Sequence, residues 1–119
     1  MRDFKGLIVW QKAHRLTVAI YAVTASFPRE ERFGLTAQVR KSAGCVSTNI
    51  AEGCGRFGER EFARFVSIAA GSASETEYHL LLAHDLGYLA PEQHRSLDTD
   101  VNEVKKMLEA PCRKLEANA

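Results

Sequence analysis

The stretch Val9-Trp10-Gln11-Lys12-Ala13-His14-Arg15-Leu16-Thr17-Val18-Ala19-Ile20-Tyr21-Ala22-Val23-Thr24-Ala25-Ser26-Phe27 places Val9, Ala13, Leu16, Ile20, Val23 and Phe27 at alternating spacings of four and three. An α-helix brings residues at those spacings onto one face, whereas a half-buried strand would alternate every second residue. The spacing predicts a helix with one buried stripe. Outward from it the pattern repeats three times: Leu35, Val39, Ala43, Val46, Ile50 and Phe57; Phe62, Phe65, Val66, Ala69, Ala73 and Leu80; Leu97, Val101, Val104, Leu108 and Leu115.

Breakers fall between the stripes: Pro28 and Gly34, then Gly53, Gly55 and Gly58, then Gly87 with Pro91. Gly87 reads as a helix C-terminal stop and Pro91 as the first turn of a new helix, where its missing N–H costs nothing. Connections this short favour antiparallel neighbours. The fold expected is therefore all-α, an antiparallel up-down-up-down four-helix bundle, with residues 1–119 forming a single domain. Pro111 is expected to kink or end the fourth helix. The small-residue run Ala69-Ala70-Gly71-Ser72-Ala73-Ser74 is expected to hold the tightest helix crossing.

Composition narrows the function classes. The 119 residues are 45% hydrophobic and 26% charged, ordinary globular values. The uncharged run from Leu16 to Pro28 is too short to span a bilayer, so no membrane segment is expected. The apolar patch Leu7-Ile8-Val9-Trp10 behind Arg2 and Lys5 is too brief for a secretion signal, and a cytoplasmic location follows as the expectation. Cys45, Cys54 and Cys112 form no CxxC pair and read as small packing residues. Residues 1–60 carry ten Lys/Arg against five Asp/Glu, whereas residues 61–119 carry six against ten. Such a split suits a basic face for nucleic acid, or helices that pair charge to charge.

Motifs for catalysis and cofactors find little support. Gly53-Cys54-Gly55-Arg56-Phe57-Gly58 spells GxGxxG, but a helix precedes it where a dinucleotide fingerprint needs a strand. It reads as a helix-to-helix turn with glycine at positive φ. No Glu has a His three residues on, as a di-iron bundle requires. Glu75 and His79 lie four apart and read as an ordinary helix contact. Ser42, Ser47, Ser67, Ser72 and Ser74 sit in helical segments without a GxSxG elbow. No catalytic residue, metal or cofactor is assigned, and the chain is expected to be non-enzymatic.

Two surfaces stand out instead. The segment Ser47-Thr48-Asn49-Ile50-Ala51-Glu52-Gly53-Cys54-Gly55-Arg56 puts Asn49, Glu52 and Arg56 three and four residues apart, a polar stripe suited to a specific interface. Lys12, Arg15, Arg40, Lys41, Arg56, Arg60 and Arg64 are the candidate nucleic-acid-binding residues, with Phe57 and Tyr21 as aromatic partners. Arg56, Arg60 and Arg64 gather at the second turn, where Glu52, Glu59 and Glu61 offer ion pairs. Trp10, Tyr21, Ile68, Tyr78 and Leu82 lie off the main stripes, and their cover is expected from further copies in a homo-oligomer.

With four stripes and their turns placed, particular residues carry a resemblance. They are Leu7-Ile8-Val9-Trp10-Gln11-Lys12-Ala13, Phe27-Pro28 with Glu31, Phe33-Gly34-Leu35-Thr36-Ala37-Gln38-Val39-Arg40, Asn49-Ile50-Ala51-Glu52-Gly53, and Phe62, Phe65, Ile68-Ala69, Gly71-Ser72 and Glu75. The chain resembles the four-helix-bundle family of proteins encoded within intervening sequences of 23S ribosomal RNA genes. That family is related to the accessory variability determinant of diversity-generating retroelements. The resemblance implies a homopentameric ring, and its retroelement branch implies binding of RNA or DNA. It adds Gln38, Ser72 and Glu75 to the assembly stripe of Asn49, Glu52 and Arg56. The chain departs from the family at Gly44-Cys45-Val46-Ser47, where a proline is usual, and from the retroelement branch in its near-neutral charge. A scaffold or adaptor for an unidentified protein partner, without nucleic acid, is the alternative reading.

Overall fold

A computed structural model describes residues 2–110. Among these described residues are four helices: α1 (Ile8–Thr24), α2 (Leu35–Cys54), α3 (Glu59–Asp85) and α4 (Pro91–Leu108). Short 3-10 turns, Phe4–Gly6 and Arg29–Glu31, precede α1 and α2. Each helix packs on its sequence neighbour and α1 also packs on α4, which closes the bundle. Lys12 near the start of α1 pairs with Glu103 near the end of α4, so those two helices run in opposite directions.

The stripes read from the spacing are the core. Val9, Ala13, Leu16 and Ile20 of α1 are buried, as are Val39, Ala43, Val46 and Ile50 of α2. Phe62, Val66, Ala69, Ala73 and Leu80 of α3 meet Leu97, Val101, Val104 and Leu108 of α4 in the same cluster. Each fully buried Leu, Ile, Val or Phe stabilises the fold by roughly 1.5–3 kcal/mol relative to exposure.

Two stripe positions turn out differently. Phe27 is buried but lies past the end of α1 at Thr24, because a residue before proline is steered away from helical geometry. Phe57 leaves the core altogether and is 79% exposed in the turn between α2 and α3. Of the three glycines there, only Gly58 takes positive φ, at 88°. Gly53 lies inside α2 and serves close approach instead: a Cβ there would fall 2.9 Å from the Phe65 Cβ. In the small-residue run Ala69 and Ala73 are fully buried, but Gly71 faces open space. The expectations on Pro111, Cys112 and Leu115 lie outside the described residues.

The helix ends follow their local chemistry. At the end of α3, Tyr88 N–H donates to the Ala83 carbonyl and Gly87 N–H to His84, with Gly87 at φ 82°. That is a Schellman stop. Pro91 opens α4, and the Gln93 side chain accepts the Ala90 N–H at 2.9 Å. Helix α2 is capped from outside: Glu31 Oε1 accepts the Leu35 N–H at 3.0 Å, in the space a Cβ on Gly34 would occupy. The other Glu31 oxygen accepts from Tyr88 Oη at 3.0 Å, tying the first turn to the third.

Candidate nucleic-acid interface

The basic residues singled out by sequence divide among several places. On the α1–α4 face, Lys12 and Arg15 line a hollow together with Asp100 and Glu103, and Lys12 Nζ is 2.5 Å from Glu103 Oε1. This is charge pairing within the bundle, between the basic first half of the chain and its acidic second half. Lys41 lines the α2–α3 groove with Gln38, Cys45, Ser72 and Glu75.

Arg40 serves as a clamp between α1 and α2. Its Nε donates to Thr24 Oγ1 at 2.8 Å, one Nη2 hydrogen goes to the Tyr21 carbonyl at 3.3 Å, and the guanidinium lies over the Tyr21 ring at 4.6 Å. Such stacking needs a planar delocalised cation, which lysine would not supply.

Arg56 in the α2–α3 turn and Arg60 and Arg64 at the start of α3 lie at one end of the bundle, where Arg56 and Arg64 meet over Phe65. Phe65, buried at the start of α3, has the Arg56 guanidinium 5.0 Å from its ring centroid and that of Arg64 at 4.8 Å. Arg56 pairs with Glu52 at 2.9 Å and Arg64 with Glu61 at 3.2 Å, all four side chains being 40% exposed or more. Arg2 joins the same end, pairing with Glu59 and lying 3.8 Å above the Phe62 ring. Exposed pairs of this kind are worth roughly 0–1 kcal/mol each, so a phosphate can replace the carboxylate at little cost.

The polar stripe is split by the structure. Glu52 and Arg56 do pair, but Asn49 donates to the Cys45 carbonyl of its own helix at 2.8 Å. Gln38, Ser72 and Glu75 gather separately around the α2–α3 groove, which encloses about 420 Å³. Beneath it Thr76 Oγ1 donates to Ser42 Oγ at 2.8 Å, and His79 Nε2 lies 3.9 Å from Glu75. Ser42 Oγ is also 3.2 Å from the Val39 carbonyl of its own helix. These groups hold α2 against α3.

Sequence reasoning passed over Arg29, Arg32 and Phe33. Arg29 and Arg32 line a hollow beside Arg40, and the Arg32 guanidinium lies 4.7 Å from the centroid of Phe33, which is 84% exposed. The interleaved Glu30 and Glu31 disguised this patch as a mixed-charge turn, although Glu31 commits its carboxylate to Leu35 and Tyr88. The off-stripe apolar residues also divide. Trp10 and Leu82 are covered within the chain, Trp10 by Phe4 and His14. Tyr21, Ile68 and Tyr78 remain exposed, along with Val18 and Leu81.

Among the described residues no three His, Cys, Asp or Glu side chains gather as a metal site, and no helix is long and apolar enough to cross a membrane. A family model described as 23S rRNA-intervening sequence protein matches residues 5–110. The fold is also similar to a solved structure from Bacteroides thetaiotaomicron VPI-5482, a protein with unknown function from the S23 ribosomal protein family. That similarity has a TM-score of 0.76 at 28% identity and covers 85% of this chain and 94% of the other. Among curated proteins, none matches.

Proposed function

The chain belongs to the 23S rRNA-intervening sequence protein family, and we propose that it is a non-catalytic, cytoplasmic, ring-forming protein that binds structured RNA at the α2–α3 end of its bundle. One observation carries the reading: Phe57, 79% exposed, stands beside Arg56 in the α2–α3 turn, with Arg60 and Arg64 in the opening turns of α3 that follow it. A phenylalanine held in water makes no contribution to the core, but it offers a face on which an unpaired base stacks. Arginines around it meet the adjoining phosphates. The binding is to loops and single-stranded stretches, since the deep groove of an RNA duplex admits no such side chain.

Assembly is drawn from Val18, Tyr21, Ile68, Tyr78 and Leu81, which the folded chain leaves exposed on α1 and α3. The ring of five rests on the family resemblance alone. The test is fluorescence anisotropy with a labelled RNA hairpin carrying an unpaired loop. Phe57→Ala should weaken binding by ~1–3 kcal/mol, as the loss of one stacked base does. Arg60→Glu should weaken binding to all sequences alike and make its salt dependence shallower. Unchanged affinity after both substitutions would reject this end as the interface. The second reading, an adaptor for a protein partner, draws on the same exposed apolar residues and is favoured if wild-type protein ignores RNA at low salt.

A further inference from the structure

At the opposite end of the bundle, the turn between α1 and α2 encloses a hollow of about 290 Å³ lined by Thr24, Phe27, Arg29, Arg32, Thr36 and Arg40. Its charge sets it apart. The α1–α4 hollow balances Lys12 and Arg15 against Asp100 and Glu103, the α2–α3 groove balances Lys41 against Glu75, and the α3–α4 hollow carries Glu77 and Asp98. Only the turn hollow, of these four, gathers three cations and no carboxylate. Of the neighbouring acids, Glu31 is committed to Leu35 and Tyr88.

The donors are arranged in advance. Arg40 is fixed by Thr24, the Tyr21 carbonyl and the Tyr21 ring through Nε and Nη2, which leaves Nη1 without a protein acceptor among the described residues. Arg29 and Arg32, three residues apart on one short turn, form no ion pair among the described residues. Thr36, only 8% exposed, lines the hollow, and its hydroxyl makes no hydrogen bond among the described residues. Two guanidinium groups outside any ion pair among the described residues, the clamped Arg40 and a hydroxyl lining the same hollow make a donor set that matches the oxygens of a multivalent anion.

We infer that this hollow is a phosphate site, in which Arg29, Arg32 and the clamped Arg40 hold the oxygens of a phosphate ester and Thr36 donates a further hydrogen bond. The inference rests on the RNA-binding reading for the source of the ester, an RNA strand, and not for the site itself. Phe33, with the Arg32 guanidinium over its ring, would then flank the nucleotide attached to that phosphate.

The test compares melting temperatures in sodium phosphate and in sodium chloride at equal ionic strength, for wild type and for the double substitution Arg29→Gln/Arg32→Gln. Both side chains are exposed, so the doubly substituted protein should melt like wild type in chloride. Phosphate stabilises most proteins by exclusion from their surface, and the doubly substituted protein supplies that baseline. If phosphate raises the wild-type melting temperature by several degrees more than it raises that of the Arg29→Gln/Arg32→Gln protein, the site is supported; equal gains overturn it. The labelled hairpin then identifies the source. About tenfold weaker RNA binding after the double substitution makes the ester part of the strand. Unchanged RNA affinity alongside a specific phosphate gain keeps the site and assigns it to a free phosphate compound. A phosphate gain in a protein that binds no RNA sinks the proposed function while the site stands.

Discussion

A Cβ at Gly53 would press on the Cβ of the buried Phe65, so Gly53→Ala should destabilise the bundle by ~1–3 kcal/mol, as overpacking a core does. Gly71 is the control, because it sits in the middle of α3 with open space around it. Gly71→Ala should stabilise by about 0.5–1 kcal/mol through helix propensity alone. Urea unfolding midpoints of the two proteins check both signs together. The sequence showed both glycines but not their difference, since one faces a neighbouring helix and the other faces water. The same holds for Glu31: its number of bonds depends on Tyr88 arriving from a turn 57 residues away. Glu31→Ala should cost about 1 kcal/mol by uncapping α2, again read from the urea midpoint.

At the scale of elements, α3 and α4 are joined by Lys105, whose Nζ donates to Glu77 Oε1 at 2.7 Å. The Lys105 hydrogen bond, seconded by Asn102, holds the Glu77 carboxyl below its usual range, against the opposing effect of burial. A carboxyl held low binds its proton less readily folded than unfolded. Its contribution is therefore full above the unfolded value and is lost as pH falls through the folded one. Glu77→Gln should cost roughly 0.5–1 kcal/mol at neutral pH, and its stability should fall less steeply than wild type's on acidification. Urea titrations at neutral and acidic pH separate the two curves. The helices themselves were legible because a period near 3.6 sums over many residues. The ends were less so, since Phe27 and Phe57 match the period but are removed from their helices by Pro28 and by the Gly55 to Gly58 turn. Charge partners were least legible of all. Nothing local distinguishes Lys12, which meets Glu103 across the bundle, from Arg29, which meets no carboxylate among the described residues.

For the whole molecule, the basic first half and acidic second half are partly reconciled inside the bundle, while Arg56, Arg60 and Arg64 lie at one end and Arg29, Arg32 and Arg40 at the other. Val18 and Tyr21 on α1 and Ile68, Tyr78 and Leu81 on α3 remain exposed, and the proposed assembly draws on them. Ile68→Glu should shift the mass of the assembly toward monomer and leave the helical content intact, which sedimentation and circular dichroism report separately. The measurement that bears most directly on the account is native mass spectrometry of the wild-type protein with and without a structured RNA at low salt. The account predicts an oligomer that gains RNA mass and loses it as salt rises. A protein that stays bare at every salt concentration would contradict it.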